Sequence, residues 1–165
     1  MRAARVLGAV VVCCLGGLAE DGRPTPTLLE YTLRESAAIV ESQLGPRTHS
    51  ARGKGYSVLE FGEDSSEHND LGYEWTFYFE QPSGELLSIA HYLPEPRSVA
   101  IFFPQGETQF HRQESGVSAI SRLLPGDRIL IAIGMARRDS PCSQIILMRR
   151  SAVERFYPWI AAELK

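Results

Sequence analysis

Residues 73–93, Tyr73-Glu74-Trp75-Thr76-Phe77-Tyr78-Phe79-Glu80, Gln81-Pro82-Ser83-Gly84, Glu85-Leu86-Leu87-Ser88-Ile89-Ala90-His91-Tyr92-Leu93, decide the reading of the fold. Tyr73, Trp75, Phe77 and Phe79 alternate with Glu74, Thr76, Tyr78 and Glu80, the period of two of a half-buried strand. Gln81-Pro82-Ser83-Gly84 is turn chemistry, because proline presets one dihedral and glycine reaches the left-handed region without steric cost. Leu86 to Leu93 then returns as a second strand, so residues 72–93 read as an antiparallel hairpin.

The same logic extends C-terminally. Pro94 and Pro96 break the ladder, since proline has no N–H to give it. Further apolar stretches follow at Ser98–Phe103, Thr108–Arg112, Ile129–Met135 and Ser143–Met148, while Val117–Leu124 reads as strand or helix. Ser151 and Glu154 have capping-box spacing, and Val153, Phe156, Tyr157, Ile160 and Leu164 form the stripe of a closing helix that Pro158 should kink or restart. On the N-terminal side, Tyr56, Val58 and Phe61 suggest a short strand, and residues 46–55 and 62–71 read as polar loops. Leu28, Leu29, Leu33, Ala37, Val40 and Leu44 recur at helical spacing from a start near Thr25-Pro26 to a stop at Gly45-Pro46. The expected fold is α+β: an antiparallel sheet of about six or seven strands, with an N-terminal and a C-terminal helix covering one face.

Length and composition bound the rest. The chain has 165 residues, enough for one domain, with 44% hydrophobic and 22% charged residues, which excludes wholesale disorder and collagen-like structure. A net charge of −3 argues against a nucleic-acid partner. Arg2 and Arg5 precede fourteen uncharged residues, Val6 to Ala19, and Gly17-Leu18-Ala19 offers the small residues of a cleavage site. The layout is that of a secretory signal peptide over residues 1–19, too short to span a bilayer, followed by a Pro-containing linker over 20–26 and one domain over 27–165. An exported chain, periplasmic or extracellular, with no stable transmembrane segment is expected. Cys13 and Cys14 sit in the apolar run, but neither follows the small residue of a lipobox. Cleavage would leave Cys142 as the one thiol, near Arg137 and Arg138, which could lower its pKa if exposed and leave it inert if buried.

Charge is segregated. Between Gly55 and Pro96 there are nine acids and no Lys or Arg; between Arg97 and Lys165 there are ten bases and six acids. Glu63, Asp64, Glu67 and Asp70 are the candidate binding residues of the acidic stretch, suited to a cationic protein partner. With His68 they could in principle hold a divalent cation, but EF-hand spacing is absent, and no metal or cofactor is expected. His49, His68, His91 and His111 form no zinc-ligand spacing. Pairing from the 81–84 turn places Glu74 opposite His91, on the face away from Trp75 and Phe77, the low-priority candidate for acid–base catalysis. No nucleophile elbow, dinucleotide loop or phosphate loop occurs. The pairs Arg137/Arg138 and Arg149/Arg150 could meet an anion or simply be solvated.

Across residues 28–92, the helix stop Leu44-Gly45-Pro46-Arg47, the run Trp75-Thr76-Phe77-Tyr78-Phe79 and the return Gly84-Glu85-Leu86-Leu87-Ser88-Ile89 are similar to the small periplasmic SmpA/OmlA-type assembly lipoproteins and the β-lactamase-inhibitor-like folds. The resemblance implies helices on a small antiparallel sheet and action by binding proteins, and it transfers no functional residue. The expected function is a non-catalytic, protein-binding or inhibitor-like exported domain. A small envelope hydrolase using Glu74 and His91, and a lipid-anchored assembly factor, are the alternatives.

Overall fold

The computed structural model describes residues 27–64, 73–103, 108–113, 115–135, 137 and 140–164. The proposed signal peptide, Cys13, Cys14, the linker, Glu67 and Asp70 lie outside the described residues. One antiparallel sheet of eight strands dominates them, so the domain is mainly β. The strands are β1 (His49–Gly53), β2 (Tyr56–Asp64), β3 (Tyr73–Glu80), β4 (Leu86–Arg97), β5 (Gln109–Arg112), β6 (Ser118–Leu124), β7 (Arg128–Met135) and β8 (Cys142–Arg149). Their order is β1-β2-β3-β4-β8-β7-β6-β5. Two four-stranded meanders thus start at opposite edges and join through their last strands.

Both central faces of this sheet are covered. Phe77, Ile89, Leu130, Ile145 and Leu147 belong to one core layer, and Ala90, Ile129, Ile131, Ile146 and Met148 to the other. The unbroken apolar runs Ile129–Ile133 and Ile145–Met148 follow from this, because a strand buried on both sides has no solvent face for polar residues. The first layer is closed by Leu28, Tyr31, Leu33 and Val40, the second by Val153, Phe156, Trp159 and Ile160. The expectation that both flanking segments cover one face is therefore corrected: they take opposite faces.

Neither segment is the single helix expected. The N-terminal one is a 3-10 turn at Leu28–Glu30, an irregular stretch, and then α1 (Ala37–Leu44), with Ser36 at its N-cap and Gly45, at φ 86, ending it as anticipated. Its helical spacing fails because Glu35 accepts hydrogen bonds from Thr32 N, Thr32 Oγ1 and Arg34 N at 2.9, 2.9 and 3.0 Å, while Leu33 takes a left-handed φ of 62. The C-terminal segment is a 3-10 turn (Arg150–Ala152) followed by two short helices, α2 (Val153–Phe156) and α3 (Pro158–Ala161). The break falls at Tyr157-Pro158, where the ring would clash with a continuing helix. The expected Ser151–Glu154 capping box is replaced by an Ala152 N-cap without a side-chain bond.

Three further expectations change. Residues 49–53 and 62–64, expected as loop, form β1 and the end of β2, so the sheet has eight strands among the described residues and not the six or seven expected. Ser98–Phe103, expected as strand, contains a 3-10 turn at Val99–Ile101. Residue numbering along β4 continues through Pro94 and Pro96, but its pairing with β8 jumps from Tyr92↔Gln144 to Arg97↔Cys142, so the prolines sit in an irregularity of the ladder.

Candidate functional site

The Glu74–His91 pair depends on the register of the β3–β4 hairpin. Phe79 pairs with Leu86 as the turn dictates, but Tyr78 pairs with Ser88, leaving Leu87 as an extra residue. This bulge lets Leu86 and Ile89, three positions apart, serve the same core layer. It also shifts every later pair by one, so His91 faces Trp75 and the expected Glu74↔His91 pairing is corrected. The His91 ring lies on the Trp75 indole, centroids 3.9 Å apart and planes 7° from parallel.

Glu74 still reaches the histidine, but loosely. Its Oε1 lies 3.7 Å from His91 Nε2 and accepts a hydrogen bond from Trp75 Nε1 at 3.2 Å. The imidazole holds the Glu74 carboxyl below its usual range; burial opposes this and the indole N–H adds to it. A general acid or base needs about 2.6–3.2 Å to its partner. Glu74 is committed to an indole and His91 to a ring stack, so the arrangement favours an anchored surface pair.

The acidic stretch is placed by backbone alone. Asp64 pairs with Tyr73, so Glu63 and Asp64 end β2 beside the start of β3, and Glu67 and Asp70 belong to the connection between the two strands. The ladder is irregular between Phe61 and Asp64, at Gly62, whose φ is 85 and whose missing Cβ leaves room for the Glu74 side chain.

A constellation that the sequence reading did not assemble lies at the other end of the sheet. His111 on β5 is fully buried. Its Nδ1 is 2.8 Å from Glu163 Oε2 and its Nε2 is 2.7 Å from Ser121 Oγ on β6. Gln109 Nε2 donates to the Glu163 carbonyl at 2.5 Å, and the Trp159 and His111 rings lie nearly perpendicular, centroids 6.4 Å apart. The order hydroxyl–imidazole–carboxylate is that of an activated nucleophile. Its burial is not: Ser121 is 2% exposed, in mid-strand. A serine without access to an acyl carbon cannot attack it, so the chain of hydrogen bonds fastens the C-terminal segment to the sheet. The signal for it is slight, since His111 and Ser121 are ten positions apart and Glu163 lies 52 beyond the histidine.

Of the paired arginines, Arg149 is likewise occupied, and Arg138 lies outside the described residues. Arg149 donates from Nε to Leu86 O and from Nη2 to Leu33 O, both at 2.9 Å, and Nη1 lies 3.2 Å from Glu85 Oε2. It borders a cleft of about 380 Å³ between residues 34–36 and 83–85. With Glu35 and Glu85 beside Arg34 and Arg149, that cleft holds balanced charge and offers an anion no surplus. Cys142 is buried, its thiol directed at Arg97 O at 3.4 Å, and burial pushes its pKa up to about 11. Of the two readings of this thiol, burial favours the inert one over the arginine-activated one. Among the described residues no group of three His, Cys, Asp or Glu is arranged to hold a metal ion, and no helix is long and apolar enough to cross a membrane. No protein family, curated protein or solved structure matches this chain.

Proposed function

We propose that this chain is an exported, non-catalytic domain that binds a cationic protein through the acidic end of the β2–β3 hairpin, in the manner of an inhibitor. The observation that supports it most is the Asp64↔Tyr73 register, which gathers Glu63, Asp64 and Glu74 at one end of two neighbouring strands; Glu67 and Asp70 fall between those strands in the sequence and lie outside the described residues. Charge concentrated in this way raises the encounter rate with a basic surface and makes binding sensitive to salt. The hydrolase alternative finds less support, because Glu74 and His91 stand 3.7 Å apart and are held by Trp75. A basic envelope enzyme is the concrete partner class.

The test compares wild type with a variant carrying Glu63→Gln, Asp64→Asn, Glu67→Gln and Asp70→Asn, both used to capture proteins from an envelope extract over a range of salt. A basic protein held by wild type, released by salt and lost with the variant is the expected result. Retention by both at every salt concentration rejects the reading. Mass spectrometry of the mature chain addresses export separately: the expected first residue is Glu20, and an intact Met1 or a lipidated cysteine rejects simple secretion.

A further inference from the structure

The two edges of the sheet are treated differently. At one, β5 has four residues, and its Gln109 and His111 are tied to Glu163 of the C-terminal segment. At the other, β1 has a regular five-residue register with β2 and four of its residues are exposed. Among the described residues no strand pairs with the outer side of β1. It contains neither proline nor any charge pointing inward, two devices that usually blunt an edge.

The geometry of the hairpin fixes which groups face outward. Gly53 and Tyr56 close a two-residue turn, Lys54-Gly55, with Gly55 at φ 78 supplying the left-handed position. The pair that closes such a turn is hydrogen-bonded, and antiparallel alternation then makes Ala51↔Val58 and His49↔Glu60 the other bonded pairs. The backbone N–H and C=O groups of Ser50 and Arg52 are left directed away from β2. They form a short template for one more strand.

Charge selects what can add there. Residues 46–55 contain Arg47, Arg52 and Lys54 and no acid. Arg155 joins them, donating from Nη2 to Lys54 O at 2.7 Å with its guanidinium over the Tyr56 ring. Of the neighbouring carboxylates, Glu60 is paired with His49 at 2.6 Å and Glu41 with Arg47 at 3.4 Å, so the cations that carry the selection are Arg52 and Lys54. Pairing of β1 with β1 of a second copy would set this basic edge against itself, and like charges across a strand pair are destabilising. An extended segment with carboxylates on alternate residues meets the same edge with the opposite sign.

We propose that β1 is a strand-addition site for an extended acidic peptide segment of a partner protein, with Ser50 and Arg52 supplying the backbone pairing and Arg52 and Lys54 the charge selection. It is independent of the cationic-partner reading, since it uses the opposite sign of charge at the other end of the β1–β2 hairpin. Addition of this kind takes affinity from main-chain hydrogen bonds and specificity from alternate side chains.

The experiment titrates full-length chain with a short capped peptide alternating valine and glutamate, and with its valine–lysine counterpart, followed by amide chemical shifts and hydrogen exchange. The acidic peptide should bind saturably, slow exchange at Ser50 and Arg52, and weaken as salt rises. Ser50→Pro removes an outward N–H and leaves every charge in place; it should weaken binding by about tenfold, the effect of losing a backbone pairing site. Arg52→Glu with Lys54→Glu should transfer the preference to the lysine peptide, which shows that this variant remains folded and competent, and an amide spectrum of Ser50→Pro unchanged outside β1 shows the same of that one. Equal binding of both peptides by wild type overturns the proposal. So does undiminished binding by Ser50→Pro, which would mean charge attraction without strand pairing. Concentration-dependent changes confined to β1 in the free protein overturn it too, because the edge would then belong to a second copy.

Discussion

The two faces of the sheet are closed by segments of similar length that rely on opposite chemistry. The N-terminal cover is irregular over residues 31–36, between its 3-10 turn and α1, and backbone carbonyls of that stretch are taken by arginines of the sheet: Arg128 Nη1 donates to Tyr31 O at 3.0 Å and Arg149 Nη2 to Leu33 O at 2.9 Å. The C-terminal cover satisfies the carbonyls of Val153, Tyr157, Pro158, Ile160 and Ala161 within its own short helices, lends the sheet one carbonyl, Glu163 O to Gln109, and is fastened through the Glu163 side chain to His111 and on to Ser121. An irregular segment pressed on a core exposes backbone acceptors that must be paired, and a guanidinium with five donors can serve several at once. A helical segment has few such acceptors, so one buried imidazole suffices. The difference teaches that the local structure of a cover dictates which residue types the sheet beneath it must present.

Replacing Arg149 tests the first half of that comparison and should have the largest effect. Arg149→Met keeps the aliphatic stem but leaves Leu86 O and Leu33 O without their donor. A loss of about 2–4 kcal/mol is expected from urea unfolding, given that each unpaired buried acceptor costs about 1–3 kcal/mol. Arg149→Lys should recover little, because one ammonium cannot reproduce the fork. If Arg149→Met lies within experimental error of wild type, the carbonyls are solvated and the N-terminal cover is held by apolar contact alone.

His111 tests the second half. His111→Leu leaves Ser121 Oγ buried without a partner and frees the half-exposed Glu163 to turn to water, for an expected loss of about 1–3 kcal/mol. The comparison is sharpened by where the loss appears. Amide exchange should quicken at residues 158–164 and stay unchanged at 28–44, since the two covers share no hydrogen bond. Equal quickening of both would show that the sheet, rather than either fastening, sets their stability.

Much of this architecture was legible in the chain, for reasons that also explain the omissions. The Trp75–Phe79 alternation, the Gly45 stop and the apolar runs of β7 and β8 are local patterns, and each forms the element its spacing implies. β1 left no pattern, because a strand exposed on both sides, His49-Ser50-Ala51-Arg52-Gly53, has no core face to impose alternation. The N-terminal stripe misled because Leu28, Leu33 and Val40 do all face one core, as helical spacing requires, yet reach it from three different backbones, a 3-10 turn, an irregular stretch and α1. The Leu87 bulge had a sequence trace, two apolar residues three apart within a strand, although turn geometry alone gives the register one residue off. The His111 bridge had none, since its three groups meet only when β5, β6 and the chain end are assembled. The acidic stretch was legible as composition, and its position at one hairpin end comes from pairing.

Glu74 offers a smaller effect with a defined direction. The neighbouring imidazole holds its carboxyl below the usual value, against the opposing effect of burial. A depressed value in the folded state gives stability that is present above the unfolded value and lost as pH falls through the folded one. The stability difference between wild type and Glu74→Gln should therefore be constant from neutral pH to about pH 5 and close below it. Its size should be about 1 kcal/mol or less, because nearly half of the Glu74 side chain is open to solvent. A difference that instead widened in acid would mean that the carboxylate is not stabilised on the β3 side of the sheet.

The smallest expected effect probes the N-terminal cover where its packing is least satisfied. Tyr31 is 2% exposed, packs edge-on against Phe77 at 5.5 Å and lies 6.4 Å from Trp75. Its hydroxyl, however, is buried and has no hydrogen-bond partner among the described residues. Burial, with Glu35 and Glu30 adding to it, holds the phenol far above its ordinary value, so it stays neutral and cannot compensate by ionising. A buried hydroxyl without a partner has lost its water and gained nothing, whereas the ring alone keeps every aromatic contact. Tyr31→Phe should accordingly leave stability unchanged or raise it by about 0.5 kcal/mol, read from the urea midpoint at constant slope. A clear loss would reveal a polar contact to the hydroxyl. The cover would then be fastened by side chain as well as backbone, and the contrast between the two faces would narrow to one of degree.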